Sequence, residues 1–261
     1  MLPRARKRFG QHFLTDAHYL ARIVAAIDPE PRDSMVEIGP GTGILTAPLA
    51  SAVERLHVVE IDRDLAAALR VAYPRGNVVV HEADALDFDF ASLESPLRVV
   101  GNLPYNVSTP ILFRMSELAD RLRDCVFMLQ KEVVERMVAA PDTPDYGRLS
   151  VMLQYRFAMR MLVKVPPGAF TPPPKVDSAV VRMEPLGDDR LRARDEALFA
   201  KIVAAAFSQR RKTLRNSARS LVAEEAFARA RIDPSRRGET LSVAQFVALA
   251  DAASGSQPGK G

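Results

Sequence analysis

Residues 35–43 read MVEIGPGTG, a short apolar strand that breaks into a turn rich in glycine. A stretch with helical spacing follows at about residues 44–52. Because glycine has no side chain, such a turn lets a ligand approach the backbone and the N-terminus of the helix closely. The pattern predicts a strand, a ligand-binding turn and a helix, the opening unit of a doubly wound α/β sheet.

The spacing of the glycines disfavours a dinucleotide site. The pyrophosphate fingerprint Gly-x-Gly-x-x-Gly, counted from Gly39 and Gly41, requires its third glycine where this chain has Ile44. A side chain there would block the close helix contact, and the Glu37 carboxylate would repel a pyrophosphate. A cationic nucleoside ligand suits Glu37 better, and S-adenosylmethionine, with its ammonium and sulfonium groups, fits. A nicotinamide dehydrogenase remains the disfavoured alternative.

Acidic residues follow the turn at the ends of the next two predicted strands. Glu60 ends the apolar run at residues 56–61, and Asp84 follows the run at residues 77–81. Glu60 lies about twenty residues after the turn, the separation at which an acidic side chain binds ribose hydroxyls. We expect Asp84 to accept a hydrogen bond from the adenine amino group of the same ligand. For either residue alone, an exposed loop carboxylate is the common alternative.

The tetrad Asn102-Leu103-Pro104-Tyr105 is predicted to form a polar loop at the carboxyl end of a buried strand. The amide oxygen of Asn102 and the backbone carbonyl of Leu103 or Pro104 are acceptors suited to the two hydrogens of a nucleobase amine. Pro104 restricts the loop, and Tyr105 offers an aromatic face on which an unstacked base recovers about 1–3 kcal/mol. The alternative is a capped turn at the strand end.

The chain has a net charge of +4, which its first cluster of basic residues alone accounts for, and a second basic cluster lies near the C-terminus. The first comprises Arg4, Arg6, Lys7 and Arg8. The second, on a predicted helical stretch without acids at residues 201–222, comprises Arg210, Arg211, Lys212, Arg215 and Arg219. Such clusters on an otherwise balanced chain indicate phosphate contacts with RNA and salt-dependent binding. The alternatives are a solubilising tail and a solvated helix face.

Length and composition indicate a globular protein. With 261 residues, the chain is long enough for one large α/β domain and a small appendage, and a hydrophobic content of 48% excludes a disordered protein. The single cysteine, Cys125, excludes a disulfide framework and indicates a reducing cytoplasm. The chain has no run of eighteen apolar residues, and its basic start lacks an apolar segment, so we expect neither membrane insertion nor secretion.

Apolar runs that alternate with helical stretches predict a parallel doubly wound sheet. We expect an opening helix at residues 17–27 and a further helical stretch at residues 149–157. Strands are predicted near residues 35, 56, 78, 99 and 126 and at residues 159–165 and 176–183. The last two strands would give the sheet an antiparallel edge.

A change in composition to Ala, Arg and Glu after residue 189 marks the predicted domain boundary. We expect an α/β domain at residues 1–185, with a basic arm at residues 1–10. A small all-helical domain is predicted at residues 190–254, followed by a flexible tail at residues 255–261.

Taken together, the motifs resemble those of the ribosomal RNA adenine N6-dimethyltransferases. The matching segments extend through almost the whole chain, at residues 7–14, 36–41, 60–62, 102–109, 129–133, 146–150, 170–178 and 207–216. The resemblance implies a Rossmann-like S-adenosylmethionine-dependent methyltransferase domain with a small helical C-terminal domain. It implies, as substrate, two neighbouring adenines near the 3′ end of 16S rRNA in the small ribosomal subunit, each methylated twice. We expect a monomeric enzyme without a metal.

The resemblance also implies roles for individual residues. The donor-binding residues that it implies are His12, Leu14, Gly39, Glu60, Asp84 and Asn102, and the pattern of the glycine turn adds Glu37 and Gly41. His12 stands where the family frequently has Asn, and either side chain can donate a hydrogen bond. Phe170, which precedes a stiff triple proline, is expected to cover the face of the adenine opposite Tyr105. The alternative is that Phe170 packs into the core and that the prolines merely join strands.

Two further functions stay open beside the small-subunit enzyme. The first is a related methyltransferase that acts on large-subunit RNA and confers antibiotic resistance, since it shares the glycine turn and the tetrad. Residues 210–216 and 170–178 favour the small-subunit enzyme. The second is a ribosome-assembly factor that acts mainly by binding RNA, which an intact Asn102 and Tyr105 disfavour.

Overall fold

The structure is a computed structural model that describes residues 12–74, 76–188, 190–209 and 211–255. Its contacts divide the chain into two compact units. The first contains the described residues up to Val134 together with Phe157–Pro185, and the second contains Glu135–Arg156 together with the described residues from Leu186 onward. The predicted arm at residues 1–10 lies outside the described residues, as does the predicted tail beyond Gly255.

Strands and helices alternate along most of the first unit. Its strands are β1 (Phe13–Leu14), β2 (Ser34–Ile38), β3 (Leu56–Glu60), β4 (Val78–Glu82), β5 (Leu97–Asn102), β6 (Leu122–Gln130), β7 (Phe157–Val165), β8 (Phe170–Thr171) and β9 (Ser178–Pro185). Its helices are α1 (Ala17–Ile27), α2 (Thr46–Ala52), α3 (Arg63–Ala72), α4 (Ser108–Glu117) and the first part of α5 (Lys131–Val138). Short 3-10 helices cover Phe90–Ser92, Ala119–Arg121 and Pro167–Ala169.

Seven strands form one sheet in the order β4-β3-β2-β5-β6-β9-β7. The first five of these strands are parallel, as the alternation with helices predicts. The predicted antiparallel pairing occurs with one difference: the antiparallel strand β9 lies between β6 and β7, so the edge strand β7 runs in the same direction as β6. A separate antiparallel pair of β1 and β8 was not expected from the sequence.

The central strands of this sheet are buried on both faces. Met35, Val36, Val99 and Val100 are each 0% exposed, which explains why β2 and β5 read as continuous apolar runs rather than alternating ones. Helix α1 has the bounds predicted for it and covers the sheet with buried isoleucines. Helix α2 begins at Thr46, later than residue 44, because the preceding turn is still in progress there.

The second unit has its own helical core. It contains the end of α5 and the helices α6 (Arg148–Gln154), α7 (Glu196–Ser208), α8 (Leu214–Ser217), α9 (Glu224–Ala230) and α10 (Val243–Ser254), with a 3-10 helix at Gly238–Thr240. The predicted boundary is corrected here, since residues 135–156 belong to this unit. The reason is that α6 contributes Val151, and the turn after it Tyr155, to the same hydrophobic cluster as Phe199 and Phe246.

The basic stretch at residues 201–222 is not the single helix that we predicted. Helix α7 ends at Ser208, and α8 is a separate short helix. The sequence has no apolar residue between Phe207 and Leu214, so nothing in that interval holds a helix against the core. The described basic residues Arg211 and Lys212 therefore lie in a turn rather than along one helix face.

Arg98 is a buried cation at the start of β5. Its guanidinium lies 2.9 Å from Asp124 on β6, measured from Nε to Oδ1, and 2.6 Å from Asp33, measured from Nη1 to Oδ2. It also donates to the carbonyl oxygens of Ile27 and Asp28 at the end of α1. Because every partner accepts from the guanidinium, the network compensates much of the cost of burying it.

We expect Arg98→Met to lower the free energy of unfolding by about 3–5 kcal/mol, because Asp33 and Asp124 would lose their buried guanidinium and keep only the more exposed Arg123 and Arg182 as partners. Urea denaturation of the purified protein measures this change. Arg192→Ala is the matched control, since its ion pair with Asp188 is exposed and is expected to contribute less than about 1 kcal/mol. An Arg98→Met protein as stable as the control would contradict the structural role of the network.

Candidate active site

The parallel strands β2 to β5 bring their carboxyl ends to one edge of the sheet, where they border a pocket. All the predicted donor-binding residues line it: His12, Leu14, Glu37, Gly39, Gly41, Glu60, Asp84 and Asn102. Leu103, Pro104 and Tyr105 line it too. The fold therefore forms one pocket from residues that lie far apart in the sequence.

The glycine turn after β2 forms one wall of this pocket. Gly39, Gly41 and Gly43 have positive φ values of 66°, 58° and 82°, a backbone region that side chains disfavour. A Cβ on Gly41 would also lie 3.1 Å from the ring of Phe13. The turn is thus restricted to glycine by both conformation and space.

Gly101 allows the end of β5 to approach the end of β2. A Cβ at this position would lie 2.4 Å from the carbonyl oxygen of Ile38, a distance that no side chain tolerates. The close approach brings Asn102 beside the turn, where a Cβ on Gly39 would lie 3.9 Å from the Asn102 carbonyl oxygen. The tetrad at residues 102–105 and the glycine turn therefore belong to the same pocket.

Glu37 is a buried acid at the base of the pocket. Its side chain accepts a hydrogen bond of 2.7 Å from the Thr46 hydroxyl, and the residue is 2% exposed. Burial raises the pKa of Glu37 to about 8; the Thr46 bond lowers it by less, and the neighbouring Glu60 raises it further. Within this arrangement the carboxyl group therefore holds a proton near neutral pH.

Glu60 and Asp84 are held by backbone amides. Glu60 accepts from the Gly41 amide at 3.1 Å and from the Asp62 amide at 2.9 Å. Burial raises the pKa of Glu60, although these amides oppose the shift. Asp84 accepts from the Leu86 amide at 2.9 Å. Each carboxylate oxygen has a second lone pair, so both side chains are oriented without being saturated.

The side chain of Asn102 is oriented by a backbone contact. Its Nδ2 donates to the carbonyl oxygen of His12 at 3.0 Å, which leaves Oδ1 as the acceptor of the amide. Leu103 is buried and lines the pocket. The carbonyl of Pro104 accepts from the Val107 amide at 3.2 Å. The Leu103 carbonyl is therefore the better second acceptor for an amine.

Tyr105 contacts a residue that sequence reasoning missed. Its hydroxyl lies 2.7 Å from the Oγ of Ser178, and its ring stacks on the His12 ring with centroids 5.6 Å apart. The His12 Nδ1 lies 2.9 Å from the carbonyl oxygen of Pro172, and because a carbonyl accepts, Nδ1 donates. A signal for Ser178 was present, since it ends the segment at residues 170–178 that carries the family resemblance.

The structure corrects the prediction for Phe170. This side chain is 3% exposed and belongs to the hydrophobic cluster of Leu14 and Val180, and it is not among the pocket-lining residues. Its backbone pairs with Leu14 between β8 and β1. The core alternative is therefore the one realised, because the β1 and β8 pairing turns this aromatic ring inward.

Other pocket residues were not singled out from the sequence. They include Ile61, which is 48% exposed and directly follows Glu60, and Asn106, which directly follows the tetrad. The sequence could have indicated them only by their positions, because residues next to a strand-end acid or amide also lie near the pocket. Ile61 presents an unusually exposed apolar side chain beside the acid proposed for ribose.

The predicted RNA-binding residues fall into two groups. Arg4, Arg6, Lys7, Arg8 and Arg210 lie outside the described residues. Arg211, Lys212 and Arg215 belong to the second unit and are exposed, and Arg215 forms an ion pair with Glu224.

The described residues contain neither a membrane-spanning helix nor a cluster of metal-ligating side chains. None of the described helices has the length and apolar character needed to cross a membrane. In the same part of the chain, no group of three or more His, Cys, Asp or Glu side chains has a metal-binding arrangement.

Comparison with solved structures supports a methyltransferase fold. A dimethyladenosine transferase from Plasmodium falciparum superposes with a TM-score of 0.79 at 24% identity, covering 91% of this chain and 96% of that one. The 23S rRNA methyltransferase ErmE superposes with a TM-score of 0.71 at 27% identity, covering 93% of this chain and 99% of that one.

Sequence comparison gives the family. The chain is 58% identical over 255 residues to "Ribosomal RNA small subunit methyltransferase A" of Aromatoleum aromaticum, covering 98% of this chain and 96% of the relative. The protein of the same name from Laribacter hongkongensis is 58% identical over 248 residues, covering 94% and 95%. The family model described as ribosomal RNA adenine dimethylase matches residues 3–254. The chain therefore belongs to the ribosomal RNA adenine dimethylase family.

Proposed function

We propose that this protein transfers methyl groups from S-adenosylmethionine to N6 of two adjacent adenines near the 3′ end of 16S rRNA, giving N6,N6-dimethyladenosine during ribosome biogenesis. The observation that carries the proposal is the oriented amide of Asn102, whose Oδ1 is left as an acceptor beside an acid-lined glycine turn. The 58% identity to small-subunit methyltransferases supports the choice of RNA. The proposal includes a monomeric enzyme in the cytoplasm.

The pocket has the types of residue that suit S-adenosylmethionine. The glycine turn admits close approach of a ligand to the backbone, while Glu60 and Asp84 are suited to ribose hydroxyls and to an adenine amino group. His12 and Leu14 complete the wall near Asn102. When bound, the cofactor supplies an activated methyl group on a positively charged sulfur.

Glu37 contributes charge matching to this pocket. As a buried acid whose pKa is raised to about 8, it is costly to ionise without a cation nearby. A ligand with an ammonium group offsets that cost and favours the ionised form. Glu37 and Glu60 together therefore make the pocket selective for a cationic nucleoside over a pyrophosphate.

The tetrad prepares the adenine amine for reaction. Asn102 Oδ1 and the Leu103 carbonyl accept the two amine hydrogens, which draws the nitrogen lone pair out of conjugation with the ring. Because the neutral amine is the nucleophile, positioning and polarisation do most of the catalytic work. A monomethylated amine has one hydrogen left, so we infer that the pocket has room for a methyl group beside Asn102 in the second transfer.

Contacts with RNA are assigned to the two basic clusters. Arg211, Lys212 and Arg215 are exposed in the second unit and suit phosphate groups. The same role in phosphate binding is proposed, from the sequence alone, for Arg4, Arg6, Lys7, Arg8 and Arg210.

Two alternatives are separable from this function. A large-subunit RNA methyltransferase shares the fold, but the similarity to ErmE is 27% against 58% for the small-subunit relatives. Mass spectrometry of both rRNAs from cells with and without the gene distinguishes them, since loss of a modified adenine in 23S rRNA alone would contradict our proposal. An assembly factor without catalysis would leave the methylation of 16S rRNA unchanged when the gene is deleted.

We expect Asn102→Ala to lower turnover on unmethylated small subunits by roughly 100-fold, because the amine loses a preorganised acceptor. Quantifying monomethyl and dimethyl adenosine after nuclease digestion measures this loss. Asn77→Ala is the matched control, because the Asn77 amide donates to Ala50 at 2.9 Å and lies outside the pocket lining. Near-normal turnover of the Asn102 variant would refute its role in polarising the amine.

Glu37 predicts a pH dependence of stability in the absence of a ligand. Its pKa rises from 4.5 to about 8 on folding, so its contribution is fully present below about pH 4.5 and is lost as the pH rises towards 8. We expect the melting temperature to fall over this window, and Glu37→Gln to make the fall shallower. Exposed Glu54→Gln serves as the control. Equal slopes for Glu37→Gln and wild type would contradict the buried, protonated acid.

A further inference from the structure

We propose that Ser178 is a positioning residue that holds the ring of Tyr105 in the orientation needed to stack the target adenine. This proposal rests on the function proposed above. The Tyr105 hydroxyl and the Ser178 Oγ lie 2.7 Å apart. Ser178 is 0% exposed and is not among the pocket-lining residues, so any effect on the substrate passes through Tyr105.

The backbone of Ser178 is a rigid support. It begins β9 and is paired on both sides, with Gln130 of β6 and with Val165 of β7. A residue held by two neighbouring strands has little freedom to follow the motion of a ligand. The Tyr105 hydroxyl therefore has a partner on a rigid backbone outside the pocket lining.

Tyr105, in contrast, lies in the loop between β5 and α4. Its backbone carbonyl accepts a hydrogen bond of 3.0 Å from the Ser108 hydroxyl, which holds the main chain but leaves the side-chain torsions free. A contact at the hydroxyl, the far end of the ring, restricts both torsions at once. Because the ring plane is the stacking surface, the bond to Ser178 determines where a stacked base lies.

The proline-rich segment supports a second ring in the same way. The carbonyl of Pro172 accepts from His12 Nδ1 at 2.9 Å, and the His12 ring stacks on Tyr105. Pro172 begins the connection between β8 and β9, and Ser178 is the first residue of β9 after that connection. This segment therefore supports the rings of His12 and Tyr105 from outside the pocket lining. From the sequence we had expected Phe170 itself to line the pocket.

We expect the second methyl transfer to depend most on the hydrogen bond between Ser178 and Tyr105. An unmethylated amine is held by two hydrogens, whereas a monomethylated amine has a single hydrogen for Asn102 and Leu103. Stacking on Tyr105 then contributes a larger share of the positioning. A loosened ring should slow the second transfer more than the first and leave monomethyl adenosine as an accumulating product.

The experiment uses the full-length protein with S-adenosylmethionine and unmethylated small ribosomal subunits. Six proteins are compared: wild type, Ser178→Ala, Ser178→Cys, Tyr105→Phe, the double variant with Ser178→Ala and Tyr105→Phe, and a control. Ser150→Ala is the matched control, because Ser150 is also 0% exposed and its hydroxyl donates to the carbonyl of Arg136. The measurements are kcat, KM, the ratio of monomethyl to dimethyl product, cofactor affinity by calorimetry and melting temperature.

We expect Ser178→Ala to lower kcat roughly threefold to tenfold and to raise the monomethyl fraction, with cofactor affinity unchanged. Tyr105→Phe removes the same bond from the other side and should reproduce both effects, and the double variant should equal either single variant. Ser178→Cys, with a weaker donor and acceptor, should fall between wild type and Ser178→Ala. Ser150→Ala should change the melting temperature without changing the product ratio.

Three results would overturn the proposal. The first is a wild-type kcat and product ratio in Ser178→Ala, and the second is a loss of kcat in the double variant equal to the product of the two single losses. The third is a change in the product ratio in Ser150→Ala as large as that in Ser178→Ala. If Ser178→Ala does not fold, Tyr105→Phe carries the test, because it leaves the sheet untouched, and wild-type behaviour of that variant overturns the proposal. The function proposed above fails separately, since a wild-type protein that leaves 16S rRNA unmethylated refutes it before any variant is compared.

Discussion

The ion pair between Arg98 and Asp124 stabilises the part of the sheet on which the pocket depends. These residues lie opposite each other in the register of β5 and β6, and both are buried. A shift of β5 by one residue would separate the charges and turn the side chain of Asn102 towards the other face of the sheet. The chemistry proposed at the carboxyl ends of the strands thus depends on a charge network at their amino ends.

The ionisable side chains buried at the two ends of the sheet have different partners. At the amino ends, Asp33 and Asp124 have a guanidinium partner and are compensated within the protein. At the carboxyl ends, Glu37 and Glu60 are hydrogen-bonded to a hydroxyl and to backbone amides, and burial raises the pKa of both. Such uncompensated acids reduce stability and are expected where a cationic ligand binds. The first network supports the fold, and the second prepares the binding site.

Sequence reasoning succeeded where the physical rule is local or follows from parallel topology. The bounds of α1 were predicted because helix periodicity is local, and the expected donor-binding residues lie in one pocket because the carboxyl ends of parallel strands meet at one edge. It failed where the outcome depends on which apolar surface lies nearby. Residues 135–156 join the helical unit, the segment at residues 201–222 breaks, and Phe170 turns into the core.

The sequence by itself determined the fold class and the positions of the glycine turn, the strand-end acids and the tetrad at residues 102–105, because each follows from the pattern of neighbouring residues. Only the tertiary structure decided how those parts are held. The Asn102 amide is oriented by the His12 carbonyl, 90 positions away, and Tyr105 is anchored by Ser178, 73 positions away. Such contacts depend on the order in which strands lie side by side, and β9 enters that order between β6 and β7, where local patterns carry no information.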